Sequence, residues 1–147
     1  MADTGLREIL DEIVDVLDNG LSGSNPTIQV ERGFVLNPSP PVIDVHVTDP
    51  ARDINVGGFG DIGAYQITVR ARVLTADNDA GQDLLISFMD DTDDLCIPLF
   101  LLDEPTLNGK AASLDLVAVS GHRAYERADG GADLGCQWDF VVTPARS

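Results

Sequence analysis

The residues whose types and spacing first invite chemistry are Gly58-x-Gly60-x-x-Gly63, inside "NVGGFGDIGAYQITVRARV" (residues 55–73). In a dinucleotide-binding loop this spacing follows a strand and opens a helix, so that free N–H groups at the helix N-terminus meet a pyrophosphate. Here the glycines lead into Ala64 to Thr75, where Ile67, Val69, Ala71 and Val73 alternate with Gln66, Thr68, Arg70 and Arg72. A period of two predicts a half-buried strand. The preceding "TDPARDIN" reads as a polar loop. Without a helix N-terminus, the glycines read as part of a long loop, Thr48 to Gly63, that delivers the chain into a strand.

Other reactive residue types are sparse. Cys96 and Cys136 are the only cysteines, and His46 and His122 the only histidines. Each cysteine has apolar neighbours, and no cluster of histidines completes a metal set or a nucleophile, so both read as reduced, buried thiols. His46 falls on the polar side of an alternating strand and reads as solvated. Asp115, Ser120 and His122 are the residue types of a hydrolytic triad. They lie within a few residues around one strand, where neighbours point to opposite faces, so they do not form a convergent site. "TADNDAGQDLLISFMDDTDD" (residues 75–94) is dense in carboxylates. Counted from Asp77 against a calcium-binding loop, position 5 is Gly81 and position 12 is Phe88, where oxygen ligands are required. Asp90–Asp94 is left with adventitious divalent binding at most. The expectation is a chain with no catalytic residues, no cofactor and no metal.

Charge narrows the partners. Nine basic residues face 25 acidic ones, a net charge of −16, with Lys110 the only lysine. Gripping a nucleic-acid backbone needs clustered Lys and Arg, which this balance denies. An acidic surface keeps a chain soluble or lets DNA pass without sticking. No apolar run is long enough to span a membrane. "MADTGLREIL" lacks the basic and apolar regions of a signal peptide, so the chain reads as an intracellular product. Its 147 residues suffice for one domain, 1–147, with a mainly aliphatic core.

The elements that position these residues follow from periodicity. Leu6, Ile9, Leu10, Ile13, Val14 and Leu17 form one helical stripe over Asp3–Asn19, capped by Asp3 or Thr4 and ended by Asn19-Gly20. Thr27–Val35 reads as a short strand. Val42–Thr48 follows as another, with Ile43, Val45 and Val47 against Asp44, His46 and Thr48. Asp79 and Gln82 have the spacing of a capping box, opening a helix that carries Leu84, Leu85, Phe88 and Met89 inward. A second helix, "LCIPLFLLD", is capped by Asp93 or Asp94 and tolerates Pro98 only in its first turn. "EPTLNGK" is a turn. Leu114–Ser120 is a strand with Leu114, Leu116 and Ala118 on one side. A hairpin with Gly130-Gly131 at its tip leads to Leu134–Thr143, whose Leu134, Cys136, Trp138, Phe140 and Val142 mark the clearest core strand. The sum is an α+β fold: a mixed, largely antiparallel sheet of about four strands, with an N-terminal helix and a central helix pair packed on it.

Taken together, "PPVIDVHVTDPARD", "GGFGDIGAYQITVRARVLTADNDAGQDLLISFMDD", "LLDEPTLNG" and "GCQWDFVV" resemble the tail terminator proteins of long-tailed bacteriophages, in particular those of actinobacterial phages. The resemblance covers nearly the whole chain and carries no catalytic signature. It implies a virion protein made in the host cytoplasm, assembled as a homohexameric ring on the last ring of the tail tube. Such a protein stops tube polymerisation and meets the head-closure or connector protein on its other face, with DNA passing through the lumen. The alternatives are a connector on the head side of the neck and, from another class, a small enzyme.

A closed ring needs two unlike patches on each subunit. Phe59, an apolar residue amid glycines, is a candidate anchor that orders on binding. Arg52, Arg70, Arg72 and Arg123, scarce cations in an acidic chain, are candidates for pairing with neighbours, and Tyr125 joins them as an interface candidate. For Arg70 and Arg72 the competing reading is that they cover a sheet face.

Overall fold

A computed structural model describes residues 5–22, 28–33, 41–53, 64–74, 78–126 and 132–144, with the backbone alone at 22, 48–53, 64, 74, 78–82, 121–126, 132 and 133. The first helix, α1 (Leu6–Ser22), buries the expected stripe: Ile9, Ile13 and Leu17 are wholly inaccessible, and Leu21 continues the row. The helix therefore runs past Asn19-Gly20 rather than ending there. Gly20 has a packing role instead. A Cβ at this position would lie 2.5 Å from Cε1 of Phe100, so only glycine lets α1 pass this close to that ring. The capping residues Asp3 and Thr4 lie outside the described residues.

Among the described residues five strands form one mixed sheet in the order β1-β2-β3-β5-β4. The first, β1 (Gln29–Arg32), runs parallel to β2 (Val42–Asp53), with Val30 opposite Ile43. The remaining neighbours are antiparallel: β2 with β3 (Ala64–Leu74), β3 with β5 (Ala132–Pro144), and β5 with β4 (Ala111–Glu126). The fold is the expected α+β one, with a mixed, largely antiparallel sheet, and β2, β4 and β5 are longer than predicted.

Residues 48–53, expected as loop, continue β2, with Arg52 opposite Tyr65 and Asp53 opposite Ala64 after a register shift that begins at Val47. Pro50 donates no hydrogen bond, and an irregular stretch is where a strand accommodates it. The glycine motif itself lies outside the described residues. The chain flanking it is strand on both sides and antiparallel, so the element after the glycines is β3 and not a helix.

The alternation in β3 and β5 places Ile67, Val69, Ala71 and Val73 beside Cys136, Trp138, Phe140 and Val142 on one face, all buried. The helices cover this face, and the buried residues form one contiguous cluster with those of α1. In β4 the expected alternation fails after Leu116. Leu114 is buried and Leu116 half-buried, but a register shift between Leu116 and Ala118 breaks the two-residue period, and Ala118 is exposed.

The helix α2 (Asn78–Met89) buries Leu85 and Phe88, whereas Met89, expected inward, is 38% exposed. Pro98 sits in the first turn of α3 (Ile97–Leu102), whose N-cap is Cys96 and not an aspartate. The aspartates act one turn earlier. Asp90 Oδ1 accepts from the Thr92 amide at 2.9 Å and its hydroxyl at 2.7 Å, and Asp93 Oδ1 accepts from the Leu95 amide at 2.9 Å. These side-chain bonds close the connection between the two helices. The turn before β4 holds Leu107, Asn108 and Gly109 at positive φ. It is tied to α1 through Glu12, which accepts from Asn108 Nδ2 and lies 3.5 Å from Lys110 Nζ.

Candidate assembly surfaces

The interface candidates fall in different places. Arg70 and Arg72 stand on β3 beside Asp44 of β2, on the sheet face away from the helices. Asp44 is completely buried; it accepts from Arg70 Nε at 3.3 Å and Nη2 at 2.6 Å, and from Arg72 Nη2 at 3.4 Å. Arg72 is itself 3% exposed. The alternation of β2 correctly put Asp44 opposite Ile43 and Val45, but that face is not solvated here. A buried carboxylate demands a partner, and two arginines on the adjacent strand supply it. Both cations are therefore engaged within the subunit, and Arg72 has almost no surface to offer a neighbour. Arg52 lies on the far end of β2, and Arg123 and Tyr125 on β4 opposite Gly135 and Asp133. Phe59 lies outside the described residues.

Of the triad types, Asp115 pairs with Val141 and Ser120 with Gln137, four residues apart along β5. That is about 13 Å at the rise of an antiparallel strand; the side chain of His122 lies outside the described residues. Both cysteines are buried. Burial pushes the Cys136 thiol above its ordinary value, and burial does the same to Cys96, reinforced by the charges of Asp91, Asp90 and Asp93. His46 is half-buried rather than fully solvated, and its Nδ1 donates to the Val47 carbonyl at 3.1 Å. Among the described residues no three His, Cys, Asp or Glu side chains are grouped to hold a metal, and no helix is long and apolar enough to cross a membrane.

The informative surfaces lie at the two edges of the sheet. At the β1 edge, a cleft of about 500 Å³ opens between α1 and β2. Leu6, Leu10, Val45 and Val47 make its walls, and Arg7 and Arg32 stand among them. Arg32 Nη1 meets Asp11 Oδ1 at 2.8 Å, with both side chains about half exposed. At the β4 edge, a groove of about 380 Å³ runs between α3 and β4. Met89, Leu102, Leu116 and Val119 line it, with Asp90 and Asp91 at its rim. Met89, Leu102, Val117 and Val119 are the large apolar residues exposed on or near this edge, at 38% to 62%.

Long strands at sheet edges are normally blunted by lysine, proline or charge. Ala111–Glu126 contains neither lysine nor proline; it carries Asp115, Arg123 and Glu126 and three register shifts, yet it exposes two valines in its middle. Sequence reasoning missed this edge. The signal available to it was "LVAV" (residues 116–119), where apolar residues occupy consecutive positions and so populate both faces of one strand. It also missed Arg7, whose place beside a cleft depends on how α1 crosses the sheet.

Compared with known proteins, the chain matches no family model and no curated sequence.

Proposed function

We propose that this chain is a ring-forming structural protein of a virion, the tail terminator of a long-tailed phage. In this reading it caps the tail tube, stops its growth and joins the tail to the head connector. The observation that carries the ring is the pair of unlike surfaces at opposite edges of one sheet. A head-to-tail contact that closes on itself needs two different patches on each copy, placed apart so that each subunit meets two neighbours. The β1 edge and the β4 edge meet that requirement, and each exposes apolar surface that a solitary subunit gains nothing by exposing. The phage assignment comes from the resemblance in sequence. The charge of −16 fits it: an acidic lumen repels DNA and eases its passage without binding it.

The test is electron microscopy of particles assembled with this gene disabled. Overlong, headless tubes are the expected result. Filled heads beside tails of normal length would move the protein to the head side of the neck. Intact virions would overturn both readings.

A further inference from the structure

We infer that the contact between neighbouring copies is made by Met89 and the acidic turn after it, seated in the cleft between α1 and β2 of the next copy. Asp91 of the first copy then faces Arg7 of the second. The inference rests on the ring proposed above and names the residues that build it.

Charge favours the unlike pairing. A contact of the β4-edge groove with its own copy would gather Asp90 and Asp91 of both copies at one seam, in a chain that already carries a net charge of −16. A contact of the cleft with itself would leave Arg7 of both copies without a new acidic partner from the groove. The unlike pairing brings acid to base. That pairing is also the one that propagates around a ring.

The local chemistry agrees. Only nine basic residues occur in the chain, and two of them stand at this one cleft. Arg7 is exposed and has no ion pair among the described residues. Asp11 is held by Arg32, and Glu8, the acid next to Arg7 on α1, makes no ion pair with it. On the other side, the Asp90 carboxylate is occupied by Thr92, whereas Asp91 is exposed and takes no part in the turn's side-chain hydrogen bonds. Met89 precedes it at the end of α2 with more than a third of its surface exposed. An unbranched thioether fills an irregular apolar cleft well, and Leu6 and Leu10 provide one.

The experiment is a charge swap in the full-length chain, read by native mass spectrometry and by complementation of the disrupted gene. Arg7→Glu and Asp91→Arg, each alone, are expected to raise the concentration needed for assembly by about tenfold or more. The double variant is expected to return it to within about threefold of wild type. As a second measurement, Met89→Cys combined with Leu6→Cys is expected to give a disulfide-linked ladder of subunits under oxidation. Both exchanged charges are exposed, so unchanged melting temperatures certify the fold. Single variants that assemble like wild type, a double variant that is not rescued, or a ladder that is absent while wild type forms rings would overturn this contact. If the single variants also complement the disrupted gene, the proposed function stands without it. A wild-type chain that never assembles beyond the monomer overturns the contact and the ring together.

Discussion

Removing the Asp44 carboxylate by Asp44→Ala is expected to cost about 3–5 kcal/mol of stability, the range for breaking a buried ion pair from one side. The size follows from what remains. Arg72 keeps its charge at a position only 3% exposed and loses an acceptor 3.4 Å from its Nη2. Arg70, with 18% of its side chain exposed and a 2.6 Å bond to the same carboxylate, can turn to water and suffers less; Arg70→Ala is expected to cost only about 1 kcal/mol. Since domains of this kind have roughly 5–15 kcal/mol in total, Asp44→Ala should lower the melting temperature by about 6–20 °C. Urea unfolding reads this directly, because Trp138 is the only tryptophan and is 1% exposed in the native state. Replacing both members of the deeper pair, Asp44→Leu with Arg72→Met, is expected to recover most of the loss, since an apolar pair no longer buries a charge. A cost below about 1 kcal/mol for Asp44→Ala, or a double variant as unstable as the sum of the singles, would refute the view that this cluster matters because it is buried.

Gly20→Ala is expected to lower the melting temperature: alanine gains up to about 1 kcal/mol of helix propensity, but its Cβ would lie 2.5 Å from a ring carbon of Phe100, and such overpacking costs about 1–3 kcal/mol. A rise in melting temperature would show that the Phe100 ring moves aside freely. The thiols of Cys96 and Cys136 should react slowly with a soluble disulfide reagent in the folded protein and quickly in urea, because both are buried and titrate above the ordinary value of 9.0. The sign follows for stability: a raised thiol pKa favours the native state fully below pH 9 and loses that contribution as the pH climbs through the native value.

Much of this architecture is legible in the sequence where one physical signal acts alone. The stripe Ile9, Ile13, Leu17 identifies α1, and the alternation from Leu134 to Val142 identifies an interior strand, because both patterns reflect a single buried face. Reading failed where two signals competed or where a neighbour decided. Pro50 and the polar residues around it mimic a loop, yet pairing with Tyr65 and Ala64 keeps the segment in the sheet. Gly20 carries the look of a helix terminator, and only the position of Phe100 explains why it lies inside the helix. Alternation told which face Asp44 occupies but not whether that face is covered. The candidate surfaces were the least legible part, because a sheet edge is defined by the absence of a further strand. Arg70 and Arg72 looked available for that reason, while Arg7 and Met89 looked like ordinary members of amphipathic helices.

The order β1-β2-β3-β5-β4 has a consequence for synthesis. The last of the described strands to leave the ribosome, β5, does not add to the rim of a finished sheet. It is inserted between β3 and β4, which emerge earlier and have no pairing with each other. Until residues 132–144 are available, β3 lacks one neighbour, β4 lacks its one neighbour among the described strands, and the apolar face of Trp138 and Phe140 is missing from the core. The nascent chain is therefore held uncommitted until β5 emerges, and a premature stop before Ala132 would release a subunit with an opened sheet rather than one with a shortened edge. Since β4 is held in the sheet by β5, the groove between α3 and β4 comes into being in the same step that completes the sheet.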